Sequence, residues 1–101
     1  MIKVRRVSGG DSPEFEVIVR KGEGESRHFV TMAQHTCERL APGKTEEHCI
    51  EAAFQFLLDR EPKESILERF DVSVISRYFP RFERELPHYL SRPGATGLDG
   101  R

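Results

Sequence analysis

Apolar and polar residues alternate in the N-terminal third of the chain, a pattern that predicts β-strands. In IKVRRV, Ile2 and Val4 are predicted to face inward, and EFEVIVR alternates with Phe15, Val17 and Val19 on one face, which is the period of a half-buried strand. RHFVTM follows as a return strand, and the intervening SGGDSP and KGEGES contain the glycine, aspartate and proline typical of turns. The pattern predicts a three-stranded antiparallel meander at 2–7, 14–20 and 27–32.

Helical periodicity replaces the alternation after residue 32. AQHTCERL is long enough for about two turns and ends at the Ala-Pro-Gly that follows it. A longer helix is predicted from 46 to 59, because Thr45 is a favourable N-cap and Glu46 and Glu47 suit the positive end of a helix dipole. Its apolar stripe is Cys49, Ile50, Ala53, Phe54 and Leu57, widened by Phe56 and Leu58.

Shorter helices are predicted further along the chain. Pro62 suits the first position of a third helix, and Asp71 is placed to cap a fourth. Residues 81–90 continue helically, although Pro87 is expected to kink or end that helix. The fold class predicted is α+β, an N-terminal three-stranded antiparallel β-meander followed by four or five mostly short helices. The apolar edges of the third and fourth helices are Ile66, Leu67, Phe70, Ile75, Tyr78 and Phe79.

Length and composition indicate one small domain. A chain of 101 residues is expected to form a single domain over 1–90, and the glycine- and proline-rich 91–101 is predicted to be a disordered tail. No apolar run approaches the roughly 20 residues that a membrane span needs. The N-terminal MIKVRRVSGGD lacks the apolar stretch of a signal peptide. We therefore expect a cytoplasmic protein that does not enter a membrane.

Charge is balanced along the chain, with 16 basic and 17 acidic side chains and a net charge of −1. A nucleic-acid-binding protein usually carries a basic excess, because neutralising phosphates supplies much of its affinity. No linear segment of this sequence shows such an excess, although folding could gather basic residues on one face. Nucleic acid is therefore not the favoured partner.

The stretch ERFDVSVISRYFP, at 68–80, is similar to the helix-turn-helix pattern xxLGVSxxTVSRxL of bacterial repressors. In that pattern about three residues separate the VS step from the apolar-Ser-Arg element, whereas here Val74 follows Ser73 directly. Pro80 also limits the second helix to about two turns. We interpret the stretch as two short packed helices. The alternative is a degenerate DNA- or RNA-binding element over 63–84 that uses Arg69, Arg77, Arg81 and Arg84.

Residues 54–86, FQFLLDREPKESILERFDVSVISRYFPRFEREL, resemble a family of small bacterial proteins of about ninety residues that has no assigned function. The most specific part of the match is FLLDREPKESILERFDVSVISRYFP, and the layout of a hairpin followed by helices is also similar. The resemblance covers roughly a third of the chain. It implies a discrete bacterial domain and supplies no activity, cofactor or catalytic residue.

Candidate catalytic and metal-binding groups are few. A possible zinc set is His35, Cys37, His48 and Cys49. On helices the members of each neighbouring pair point about 100–200° apart, so neither pair converges. APGKTEEH lacks the first glycine of a phosphate loop, because position 38 is Glu38, and GEGES lacks the third glycine of a dinucleotide site. We therefore predict two free thiols, no enzyme activity, no cofactor and no metal.

Aromatic residues and arginines are concentrated in the C-terminal helices. The helix at 46–59 could cover much of a three-stranded sheet alone, and a surplus of tyrosine and arginine is typical of protein interfaces. The other interpretation is that these rings complete the core. We predict a non-catalytic protein that acts through contacts with an unknown partner protein or in a homodimer. The predicted surface residues are Arg77, Tyr78, Arg81, Phe82 and Tyr89.

Overall fold

The computed structural model describes residues 1–91, and the predicted β-meander is confirmed there. Strands β1 (Ile2–Ser8), β2 (Glu14–Arg20) and β3 (Glu25–Thr31) pair antiparallel in chain order. The alternate apolar residues of β2 that were predicted to face inward are fully buried. The predicted disordered tail lies, apart from its first residue, outside the described residues.

A fourth strand joins this sheet, so the predicted number of three strands is wrong. Strand β4 (Arg69–Asp71) pairs parallel with β3, and the strand order is β1-β2-β3-β4. The chain after Pro62 forms a 3-10 turn at Lys63–Ser65 instead of the predicted third helix. The amide of Phe29 donates to the carbonyl of Glu68 at 2.8 Å. Pairing with β3 therefore satisfies backbone groups that a helix would have satisfied internally.

Four α-helices lie within the described part of the chain. They are α1 (Gln34–Leu40), α2 (Glu46–Leu58), α3 (Ile75–Tyr78) and α4 (Phe82–Leu90). Helix α2 begins at its predicted cap, because the amide of His48 donates to the Thr45 hydroxyl at 3.0 Å. Asp71 accepts from the amide of Ser73 at 3.0 Å, but it caps a 3-10 turn that leads into α3. Helix α4 continues past Pro87. None of these helices is long and apolar enough to cross a membrane.

The helices and one face of the sheet share a single apolar core. The Phe54 ring on α2 lies 5.4 Å from the His28 ring of β3 and 6.0 Å from the Phe70 ring of β4, measured between centroids. These contacts place α2 across the sheet, as its wide apolar stripe indicated. The predicted stripe residues that are buried are Cys49, Ile50, Ala53, Phe54, Phe56 and Leu57.

The opposite face of the sheet carries charged side chains that pair across strands. Arg5 on β1 and Arg27 on β3 both contact Glu16 on β2, with nitrogen–oxygen distances of 2.7 and 3.2 Å. The hydrogen bond from Arg5 lowers the pKa of the Glu16 carboxyl. Arg69 on β4 contacts Glu14 at 2.7 Å. An antiparallel sheet can leave one face to water, and opposite charges on neighbouring strands favour the observed register.

Candidate docking cleft

An open cleft lies where the end of α2 meets β4 and α3, and its volume is about 420 Å³. One wall is formed by the end of α2 and the connection that follows it, and the other wall is formed by β4 and α3. We call it the 57–79 cleft. Its apolar lining includes Leu57, Ile66, Phe70, Val74, Ile75 and Phe79.

Two exposed apolar side chains belong to this cleft. Leu67 is 50% exposed and Tyr78 is 69% exposed, and both line it. The other large apolar residues that are strongly exposed within residues 1–91 are Met1 and Val7, both on or beside β1. Contiguous exposed apolar surface marks an interaction site more often than scattered single residues do. Leu67 and Tyr78 therefore extend the cleft into one apolar patch.

A buried histidine positions the wall that carries Leu67. His28 is 2% exposed, and its Nδ1 lies 2.7 Å from the Leu67 carbonyl oxygen. A carbonyl oxygen only accepts, so in the neutral ring Nδ1–H donates and Nε2 accepts from the Ser26 hydroxyl at 2.8 Å. Sequence reasoning missed His28, because its bonding partner lies 39 residues away.

A buried lysine fixes the beginning of the same wall. Lys63 is 9% exposed, and its Nζ donates to the Lys21 carbonyl oxygen at 2.9 Å. It also donates to the Glu64 carboxylate at 2.8 Å, and this hydrogen bond lowers the pKa of the Glu64 carboxyl. The connection between α2 and β4 is thereby tied to the β2–β3 hairpin. Two buried polar side chains thus hold this wall of the cleft against the sheet.

Glu61 is a charged residue among the apolar residues that line the cleft. Its carboxylate has no hydrogen bond or ion pair to any residue in the described range. Burial raises the pKa of the Glu61 carboxyl. A carboxylate that is partly desolvated and lacks a cation is stabilised when a positive group approaches it. Glu61 is therefore the charged group of the cleft that a nearby cation would stabilise.

The structure separates the five residues predicted to form a docking surface. Phe82 is 1% exposed and Tyr89 is 7% exposed, so the prediction is wrong for these two. Their rings pack edge-on against Phe56 of α2, with centroid distances of 5.1 and 5.8 Å, and complete the core. The exposed members are Arg77, Tyr78 and Arg81.

The four arginines of the nucleic-acid alternative do not lie together. Arg69 is on the outer face of the sheet and is paired with Glu14. Arg77, Arg81 and Arg84 are exposed on α3, at the N-cap of α4 and on α4. These three have no ion pair within residues 1–91, whereas the other seven arginines there each have one. Arg77, the first of these three unpaired arginines, directly precedes Tyr78, which lines the cleft.

The four residues of the possible zinc set do not form one cluster, although the side chains of Cys37 and Cys49 contact each other. Cys37 and Cys49 are buried free thiols on α1 and α2. Burial raises the pKa of the Cys49 thiol to about 12, and burial also raises the pKa of the Cys37 thiol. His48 Nε2 lies 2.8 Å from the Leu90 carbonyl oxygen, and His35 is exposed. No group of three or more histidine, cysteine or acidic residues among those described could hold a metal ion.

Comparison of the chain with family models, with curated proteins and with solved structures gives no match. The resemblance of residues 54–86 to a family of small bacterial proteins stays a prediction. The cleft, its exposed apolar rim and the charges beside it are the features of the described residues that bear on function.

Proposed function

We propose that the protein is a small, non-catalytic binding module of the cytoplasm that docks a protein segment in the 57–79 cleft. The observation that carries this proposal is an apolar cleft with Leu67 and Tyr78 exposed on it. Exposed apolar patches rimmed by polar residues are typical of protein interaction sites, and tyrosine and arginine are enriched among the residues that dominate binding energy.

The size and charge of the cleft describe what it would accept. Its volume of about 420 Å³ is enough for a few apolar side chains inserted from a partner. Glu61 lies in one wall, while Arg77 and Arg81 lie on and just after the helix of the other wall. Charges at an interface fix orientation and exclude wrong partners more than they add affinity. The expected ligand has an apolar centre flanked by both signs of charge.

The state of the two thiols supports a non-catalytic role. A nucleophilic cysteine reacts as the thiolate, which is favoured by a lowered pKa and partial exposure. Cys37 and Cys49 are buried, and burial raises the pKa of both. Their environment is that of structural core residues.

Leu67→Asp is expected to weaken cleft binding at least about tenfold, because it places a charge in the apolar rim. The ligands are peptides selected by phage display on the wild-type protein, and fluorescence anisotropy gives their Kd. Val7→Asp is the matched control, since Val7 is 38% exposed on β1, at the sheet edge opposite β4. Circular dichroism checks that both variants fold. Equal Kd values for all three proteins, or no peptide selected by a protein that is monomeric, would contradict the docking function.

A second candidate function is binding of DNA or RNA, and one observation favours it. Arg77, Arg81 and Arg84 have no ion pair with any described residue, and such guanidinium groups can neutralise phosphates. Glu83 and Glu85 interrupt this series, and the net charge is −1. We expect no amide shifts when a mixed-sequence duplex of about 20 base pairs is added at low salt, where phosphate attraction is strongest. Shifts at the three arginines that added salt reverses would favour nucleic acid instead.

A further inference from the structure

The unpaired charges around the cleft divide by sign. Glu61 and Glu68 belong to the connection between α2 and β4, and neither has an ion pair within residues 1–91. Arg77 precedes Tyr78 on α3, and Arg81 occupies the N-cap of α4, again without an ion pair in that range. Glu61 lines the cleft, Glu68 directly follows the lining residue Leu67, and Arg77 directly precedes the lining residue Tyr78. Free carboxylates therefore flank the cleft on the side of the α2–β4 connection, and free guanidinium groups flank it on the side of α3.

We infer that the occupant of the cleft is a second copy of this chain, related to the first by a two-fold axis. In a two-fold dimer the same surface lies on both sides, so when residue i of one copy contacts residue j of its partner, j also contacts i. The carboxylates that flank the cleft of one copy then meet the guanidinium groups that flank the cleft of the other, and every such contact occurs twice. This inference rests on the proposed docking function, because it fills the same cleft.

The apolar part of the surface suits the same arrangement. Each copy contributes a concave cleft together with two projecting rim residues, Leu67 and Tyr78. A two-fold axis between the clefts brings the rim of each copy against the cleft of the other. A net charge of −1 gives little overall repulsion between two copies. The same surface therefore carries both the apolar and the charged groups that a second copy needs in order to bind it.

Ligands of one charge sign fit the surface less well. A basic segment would pair with Glu61 but would meet Arg77 and Arg81, which flank the cleft on the side of α3. An acidic segment or a nucleic acid would pair with these arginines but would meet Glu61 and Glu68. Like charges brought together at an interface are a strong source of discrimination against a partner. A second copy satisfies both walls with the residues already present.

A charge swap tests this inference, with sedimentation velocity of the full chain from about 1 to about 500 µM giving the dimer Kd. We expect the wild-type protein to dimerise across this range. Glu61→Arg should raise the Kd at least tenfold, because it places like charges at both symmetric contacts, and Arg77→Glu should do the same. Mixing the two variants should restore dimerisation, because both contacts of the mixed dimer then join opposite charges. Glu23→Arg and Lys44→Glu are matched controls at exposed loop positions and should leave the Kd unchanged.

Each other outcome decides against the second copy. A wild-type protein that stays monomeric at the highest concentration overturns the inference, as does a dimer that neither reversal weakens or that the mixture fails to restore. Binding of the phage-selected peptides then shows whether only the dimer inference fails or the docking function fails as well. A monomer that binds them in the cleft keeps the docking function with a different occupant. A monomer that binds none contradicts both.

Discussion

Phe56→Ala is expected to lower the free energy of unfolding by about 3–5 kcal/mol. The side chain is fully buried, and its ring meets those of Phe79, Phe82 and Tyr89 edge-on with centroid distances of 5.1 to 5.8 Å. The Arg60 guanidinium lies 3.7 Å from the same ring centroid. Truncation removes these contacts and leaves a cavity where α2, α3 and α4 meet, which the surrounding helices can fill only in part.

Urea unfolding followed by circular dichroism measures this loss. Tyr78→Ala is the matched control, because it truncates an aromatic residue of the neighbouring helix that is 69% exposed. Its expected cost is below about 1 kcal/mol, since little surface is buried there. A cost below about 1 kcal/mol for Phe56→Ala as well would contradict the packing of the C-terminal helices on α2.

His28→Leu is expected to cost about 1–3 kcal/mol, because it removes a donor from a partly buried carbonyl. Leucine keeps an apolar side chain beside Phe54, but it cannot donate to the Leu67 carbonyl oxygen or accept from the Ser26 hydroxyl. The Leu67 wall loses its hydrogen bond to β3, so we also expect weaker binding of the selected peptides.

The matched control for His28→Leu is Ser26→Ala, which removes only the partner of Nε2. Its expected cost is about 0.5–1.5 kcal/mol, with the Leu67 contact and peptide affinity retained. Urea unfolding and anisotropy report the two effects separately. If both variants lost equal stability and neither changed peptide affinity, the role of His28 in holding the cleft wall would be wrong.

Sequence analysis predicted correctly the elements that are determined by residues close together in the chain. The alternation in EFEVIVR follows from the period of a strand, and Thr45 caps α2 through an amide three residues away. Strand β4 was missed because its three residues are defined by pairing with β3. The spacing of Ile66 and Phe70 is helical, but tertiary pairing outweighs that local preference here.

The candidate site was predicted only in part for a similar reason. Arg77, Tyr78 and Arg81 were placed on the surface, and the structure leaves them exposed. Phe82 and Tyr89 were misassigned, although their spacing of seven residues, two turns of α4, indicates one buried face. The cleft itself has no sequence signal, because its walls come from segments that meet only after folding. The sequence does not single out Glu61, because the apolar residues that surround it in the cleft come from separate segments of the chain.

The docking function depends on one surface, the 57–79 cleft. An amide chemical-shift map of the ¹⁵N-labelled protein, recorded as a phage-selected peptide is added, tests it most directly. We expect the shifts to concentrate between residues 57 and 79, with the largest near Leu67 and Tyr78. Shifts confined to the outer face of the sheet, around Arg5 and Arg27, would contradict the docking function assigned to the cleft.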